Sequence, residues 1–158
     1  MASMKTTLLR DHTLRACHVA AILGAFQGYY IIPGQEPAIS EKGAGADMSV
    51  DVGAFKYVLN GAFGEKLTTT NVAIDAADAT NPRIDVIYVN SSGVVSVSKG
   101  TAKAAKPIGE TTWQKWEEPY PADLSTTDGI ILAEIEVPAG VTSIVNAYIR
   151  NICVPVAF

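Results

Sequence analysis

The sequence predicts a mainly β chain, an antiparallel β-sandwich or jelly-roll-like barrel with one short N-terminal helix. Three observations carry this. Runs of β-branched and aromatic residues are short and alternate with polar ones. Gly, Pro and Asn interrupt them at close intervals, which favours a sandwich or barrel over alternating strands and helices. Helical spacing occurs in one segment only, near the start.

In that segment Leu14, Cys17 or His18, Ala21, Ile22 and Ala25 fall at helical intervals. Asp11 is placed to cap the start, and Gly24 and Gly28 end the helix before Tyr29. About three turns is too short for independent stability, so the helix must pack on something. Residues 1–28 are therefore expected to form an arm and helix, and residues 29–158 a β domain.

Tyr29 to Ile32 is a strand stopped by Pro33-Gly34, and Gln35 to Ala46 reads as a polar loop. Met48, Val50 and Val52 then alternate with Ser49, Asp51 and Gly53, which sends one apolar face inward. Phe55 to Leu59 continues as a strand into the turn signal Asn60-Gly61, and Asn71 to Ile74 is a further strand. The clearest hairpin pairs Ile84–Asn90 with Val94–Ser98 across Ser91-Ser92-Gly93. Val95 and Val97 share one face; Val94, Ser96 and Ser98 share the other.

Lys99 to Thr127 is a long excursion rich in Gly, Pro, Lys and acidic residues, and loops of this length are usually functional or mobile. In the next strand Ile131, Ala133, Ile135 and Val137 are expected on one face, with Leu132, Glu134 and Glu136 on the other. Pro138-Ala-Gly140 ends it. Ile144 to Ile152 supplies the last strand.

The 158 residues suit one domain, and a 48% hydrophobic fraction is enough to bury a core. Charged residues make up 18%, below the usual share of about a quarter, which leaves a surface suited to contact. The net charge of −4 argues against nucleic acid as a partner. Lys99, Lys103 and Lys106 read as a solvated loop. Cys17 and Cys153 are expected as buried free thiols. The start is broken by Arg10, Asp11, His12 and Arg15. It does not read as a signal peptide, and no apolar run is long enough for membrane insertion.

No residue set converges on catalysis. His12 and His18 lie at a spacing that keeps them off one helix face, and Cys17 and His18 diverge as neighbours. Asp123 and Asp128 do not match a calcium loop, and Gly43-Ala-Gly45 and Gly61-Ala-Phe-Gly64 lack the lysine and hydroxyl of a phosphate loop. Neither a cofactor nor a metal is implied. Asp75 and Asp78 suit turns built on side-chain-to-backbone hydrogen bonds. Arg83 and Asp85, two apart in a strand, face the same side and suit an ion pair. Trp113, Trp116 and Tyr120 either cap the open end of the sandwich or, as the best contact candidates, meet a protein neighbour or a sugar. The apolar end Ile152 to Phe158 suits burial in the core or against a neighbour.

Four stretches, taken in order, resemble structural modules of tailed-bacteriophage tail-tip, baseplate and fibre-attachment proteins. They are Met48-Ser-Val-Asp-Val52, Ala76-Ala-Asp-Ala-Thr-Asn-Pro-Arg-Ile-Asp85, Val97-Ser-Lys-Gly-Thr101 and Leu132-Ala-Glu-Ile-Glu-Val-Pro-Ala-Gly-Val-Thr-Ser-Ile144. The resemblance spans roughly Met48 to Arg150. It implies no catalytic residues. Asn81, Pro82, Arg83, Asp85, Pro138 and Gly140 match its structural motif. Such modules commonly continue into a shaft or receptor-binding head, whereas this chain stops at Phe158, which suggests a free-standing component.

The expectation is a non-enzymatic virion structural protein, assembled in the host cytoplasm as a trimer or other closed oligomer. It would contact itself and other virion proteins in a tail, baseplate or particle surface. A capsid decoration protein and a carbohydrate-binding module that adsorbs to a host glycan are the alternatives.

Overall fold

The structure, a computed structural model, describes residues 28–103 and 129–152. Ten strands follow in chain order: β1 (Tyr30–Ile31), β2 (Ile39–Glu41), β3 (Ser49–Val52), β4 (Phe55–Leu59), β5 (Ala62–Lys66), β6 (Thr70–Ala73), β7 (Arg83–Asn90), β8 (Val95–Ser98), β9 (Gly129–Val137) and β10 (Ile149–Asn151). They form three sheets, ordered β1-β4-β5, β2-β3-β6 and β10-β9-β7-β8, and every strand pairing is antiparallel. The described residues are thus mainly β. The expected N-terminal helix lies outside them.

Turn chemistry fixes two hairpins. Between β4 and β5, Asn60 at φ 50° and Gly61 at φ 77° both take positive values, as a two-residue I′ turn requires. Between β7 and β8, Gly93 takes φ 75° and its N–H donates to the Asn90 carbonyl at 2.8 Å. The Asn90 side-chain oxygen accepts from the N–H groups of Ser92 and Val94, so one residue organises the whole loop.

The core draws on all three sheets. Val50 and Val52 of β3, Phe55, Tyr57 and Leu59 of β4, Val72 of β6, Ile87 and Val89 of β7, and Ala133, Ile135 and Val137 of β9 form one buried cluster. Each fully buried aliphatic side chain contributes roughly 1.5–3 kcal/mol relative to exposure. Sheets β2-β3-β6 and β10-β9-β7-β8 approach at both margins, with β6 beside β8 and β2 beside β10. Sheet β1-β4-β5 meets the β7–β8 hairpin through Tyr57. A β-carbon built on Gly64 would run into its ring, and one on Gly93 would fall 2.5 Å from its hydroxyl oxygen.

Four strand expectations are corrected. Leu132 leaves the face it was expected to share with Glu134 and Glu136 and packs in the core, while Glu134 keeps its expected face and is buried there. The β7–β9 register shifts after Ile87, which pairs with Ala133, so that Tyr88 pairs with Ile131 and Leu132 is the extra residue of a bulge. Leu132 thereby joins the core, and Ile131 moves to the face that carries Glu134 and Val86. The stretch read as a polar loop contains β2, whose Ile39 is buried opposite Val52. A fifth strand, β5, follows the Asn60-Gly61 turn where none was assigned. The last strand is shorter than expected because a 3₁₀ turn occupies Asn146–Tyr148 before β10.

Candidate functional site

The motif residues converge at one end of the β7–β9 pair. Arg83 stands opposite Val137, and Asp85 opposite Ile135. Arg83 and Asp85 share the core-facing side of β7 with Ile87 and Val89, so the strand's period of two buries a charged pair. The Arg83 Nε donates to Asp85 Oδ1 at 2.9 Å, and Nη2 donates to Oδ2 at 3.1 Å. The rest of the guanidinium reaches back to the preceding turn, Nη1 to the Ala76 carbonyl at 2.8 Å and Nη2 to the Asp75 carbonyl at 2.6 Å. Asp85 Oδ1 also accepts the Gly100 N–H at 2.8 Å. One planar, five-donor group therefore ties the chain entering β7 to the chain leaving β8.

The turn before β7 is held from within. Asp78 Oδ1 accepts the N–H groups of Thr80 and Asn81, both at 2.8 Å, which keeps its carboxyl below the usual carboxylate range. The Asp78 carbonyl accepts the Gly140 N–H at 2.7 Å, and the Pro82 carbonyl accepts the Lys103 N–H at 3.1 Å. Gly140 sits at φ 68°, and the Pro138 carbonyl accepts the Val141 N–H in the same turn. Asn81, Pro82, Arg83, Asp85, Pro138 and Gly140 thus occupy one spatial unit. Asp75, expected with Asp78 to make side-chain-to-backbone turn bonds, instead pairs with Lys99 at 2.9 Å on the surface, and that ammonium lowers its pKa.

A second polar group lies at the start of β3. Asp47 accepts from Lys42 Nζ and from Ser49 Oγ, and these contacts lower its pKa while Asp47 raises that of Lys42. Asn71 Nδ2 donates to Ser49 Oγ and Asp51 Oδ1, and Gly43 N–H donates to Asp51 Oδ2. The Asp51 carboxyl is held low by Asn71 first and Gly43 next. Every carboxylate here has its partners within the fold, an arrangement that stiffens a loop.

The outward side of sheet β1-β4-β5 is different in character. Tyr30, Val58 and Phe63 lie in register across its three strands, and the next pair along is Lys56 with Glu65, 4.0 Å apart. Phe63 is 61% exposed, and Leu67, just past β5, is 73% exposed. Sequence reading missed this row. The Asn60-Gly61 turn was the available signal for it, but Gly64 interrupts the strand that follows.

Of the expected contact residues, Trp113, Trp116, Tyr120 and Phe158 lie outside the described residues, as do both cysteines and both histidines. Among the described residues no three His, Cys, Asp or Glu side chains group as metal ligands, and no helix is long and apolar enough to cross a membrane. Comparison of the chain with protein-family models, curated proteins and solved structures finds no significant match.

Proposed function

We propose that this chain is a non-enzymatic structural protein of a tailed-virus particle, a β-sandwich module that works as a closed oligomer. One observation carries the reading. The two longest stretches that resemble tail and baseplate modules run into neighbouring strands, where they pair at Arg83↔Val137, Ile84↔Glu136 and Asp85↔Ile135, and their turns meet through Gly140 N–H and the Asp78 carbonyl. The residues behind the resemblance thus form one unit whose polar groups are spent on holding the chain in place. Sheets β2-β3-β6 and β10-β9-β7-β8 supply the two layers, and sheet β1-β4-β5 extends them at the hairpin end.

Such a module works through geometry: a stiff core holds surfaces at fixed angles for neighbouring copies and other virion proteins. The exposed apolar row on sheet β1-β4-β5 supports a role in contact. Light scattering of the full chain on a size-exclusion column, over a range of concentrations, tests the reading. A closed oligomer whose mass survives dilution is expected. A strict monomer at every concentration would contradict it.

A further inference from the structure

The geometry points to the free edge of β5 as a strand-pairing surface for a second copy of this chain. The two β5 strands run antiparallel about a two-fold axis at Gly64. This rests on the oligomer reading above and names its contact.

The backbone of β5 sets which groups are available. In a hairpin closed by a two-residue turn, the flanking pair exchanges both its hydrogen bonds, and this recurs at every second pair. Here those pairs are Leu59↔Ala62, Tyr57↔Gly64 and Phe55↔Lys66. Phe63 and Glu65 therefore turn their N–H and C=O groups away from β4. Lys56, opposite Glu65, shows the same alternation, since its carbonyl accepts the Ile32 N–H on the β1 side. β5 is the last strand in the order β1-β4-β5, and among the described residues no strand lies beyond it.

This edge carries one guarding lysine, Lys66 at its end, and lacks the proline and bulge that also protect edges from pairing. It contains no proline, its register with β4 is unbroken, and its acidic residue Glu65 faces Lys56 within the sheet. Phe63, on the outward side, is largely exposed.

The strand is self-complementary in one register. With the axis at Gly64, the middle residue of Ala62–Lys66, the whole of β5 pairs. Phe63 then stands opposite Glu65 of the second copy, and Ala62 opposite Lys66. Each Phe63–Glu65 pair exchanges two hydrogen bonds, and no like charges oppose. Moving the axis to Glu65 sets two carboxylates face to face, which is destabilising. Moving it to Phe63 sets Glu65 against the turn residue Gly61 and shortens the pairing. The result is a continuous sheet β1-β4-β5-β5-β4-β1 and an isologous contact, so the assembly holds an even number of chains.

The test uses the full chain and two variants. Phe63→Pro removes an outward N–H without touching a β4 hydrogen bond, a position where proline is tolerated. Phe63→Lys keeps the backbone and places a charge on the edge. Light scattering is run on all three, with circular dichroism and thermal melting to establish folding. An even-numbered wild-type assembly, with a two-fold drop in mass for both folded variants, is expected. An odd-numbered wild type, or a folded variant of unchanged mass, overturns the β5 contact and leaves the oligomer reading standing. An edge that instead receives a strand of another virion protein gives that second outcome. A monomeric wild type overturns both. Should Phe63→Pro fail to fold, Phe63→Lys decides.

Discussion

Arg83 Nε lies 2.9 Å from Asp85 Oδ1, and both side chains are sealed from solvent, at 2% and 0% exposure. Removing two charges from water is costly, and such a pair persists where further hydrogen bonds satisfy both partners. Here the Asp75 and Ala76 carbonyls and the Gly100 N–H complete the set. The pair thereby links three chain segments, the turn before β7, β7 itself and the chain leaving β8.

Arg83→Met leaves a buried carboxylate without its cation and is expected to cost about 3–5 kcal/mol in urea unfolding. Adding Asp85→Leu removes the stranded charge and recovers part of that loss. Recovery stays incomplete, because two carbonyls and one N–H lose their partner. A double variant no more stable than Arg83→Met alone would show that the charge pair is not what holds the turn.

Tyr57 lies across two glycines, and the two contacts differ in kind. A β-carbon on Gly93 meets the Tyr57 hydroxyl first, with the ring carbon Cζ at 3.6 Å, whereas one on Gly64 meets two ring carbons first and the hydroxyl at 2.8 Å. Gly93→Ala and Gly64→Ala should each destabilise by about 1–3 kcal/mol. Tyr57→Phe removes only the hydroxyl. In double-mutant cycles it should relieve part of the Gly93→Ala cost, leaving the strain at φ 75°, and a smaller part of the Gly64→Ala cost, where the ring-carbon contacts remain. Equal relief at both sites would contradict the arrangement.

Acid should weaken the fold through surface carboxylates. Asp47, Asp51, Asp75 and Asp78 all have folded-state pKa values below the ordinary value, each through hydrogen bonds or a lysine partner. A depressed folded pKa means stability that is complete above the unfolded value, about 4, and is lost as pH falls through the folded one. Denaturation midpoints should be level above about pH 5 and fall below about pH 4. Asp78→Asn retains a side-chain oxygen for Thr80 and Asn81 but cannot titrate. It should hold stability at neutral pH and flatten the acid limb, which chemical denaturation at the two pH values reads directly.

The parts of this fold legible in the sequence are those set by neighbouring residues. Asn60-Gly61 and Ser91-Ser92-Gly93 announce their turns, because positive φ and side-chain acceptors are local properties. The Arg83-Asp85 spacing places both on one side of a strand. Its burial was not legible, since the carbonyls of 75 and 76 and the N–H of Gly100 arrive from separate segments. Ile131 and Leu132 were misplaced because a bulge in β9 shifts the alternation, and a bulge depends on the partner strand. β2 escaped notice because three residues, with buried Ile39 their main apolar anchor, leave almost no periodic signal. The outward row Tyr30–Val58–Phe63 joins three strands, and only their pairing brings it together.

Peptide mass spectrometry on purified virus particles, released from cells that carry this gene, puts the virion reading at greatest risk. The chain is expected in the particles at a fixed copy number that is a multiple of its oligomer in solution. Particles free of it, from lysates in which the chain is abundant, would contradict a structural role in the virion.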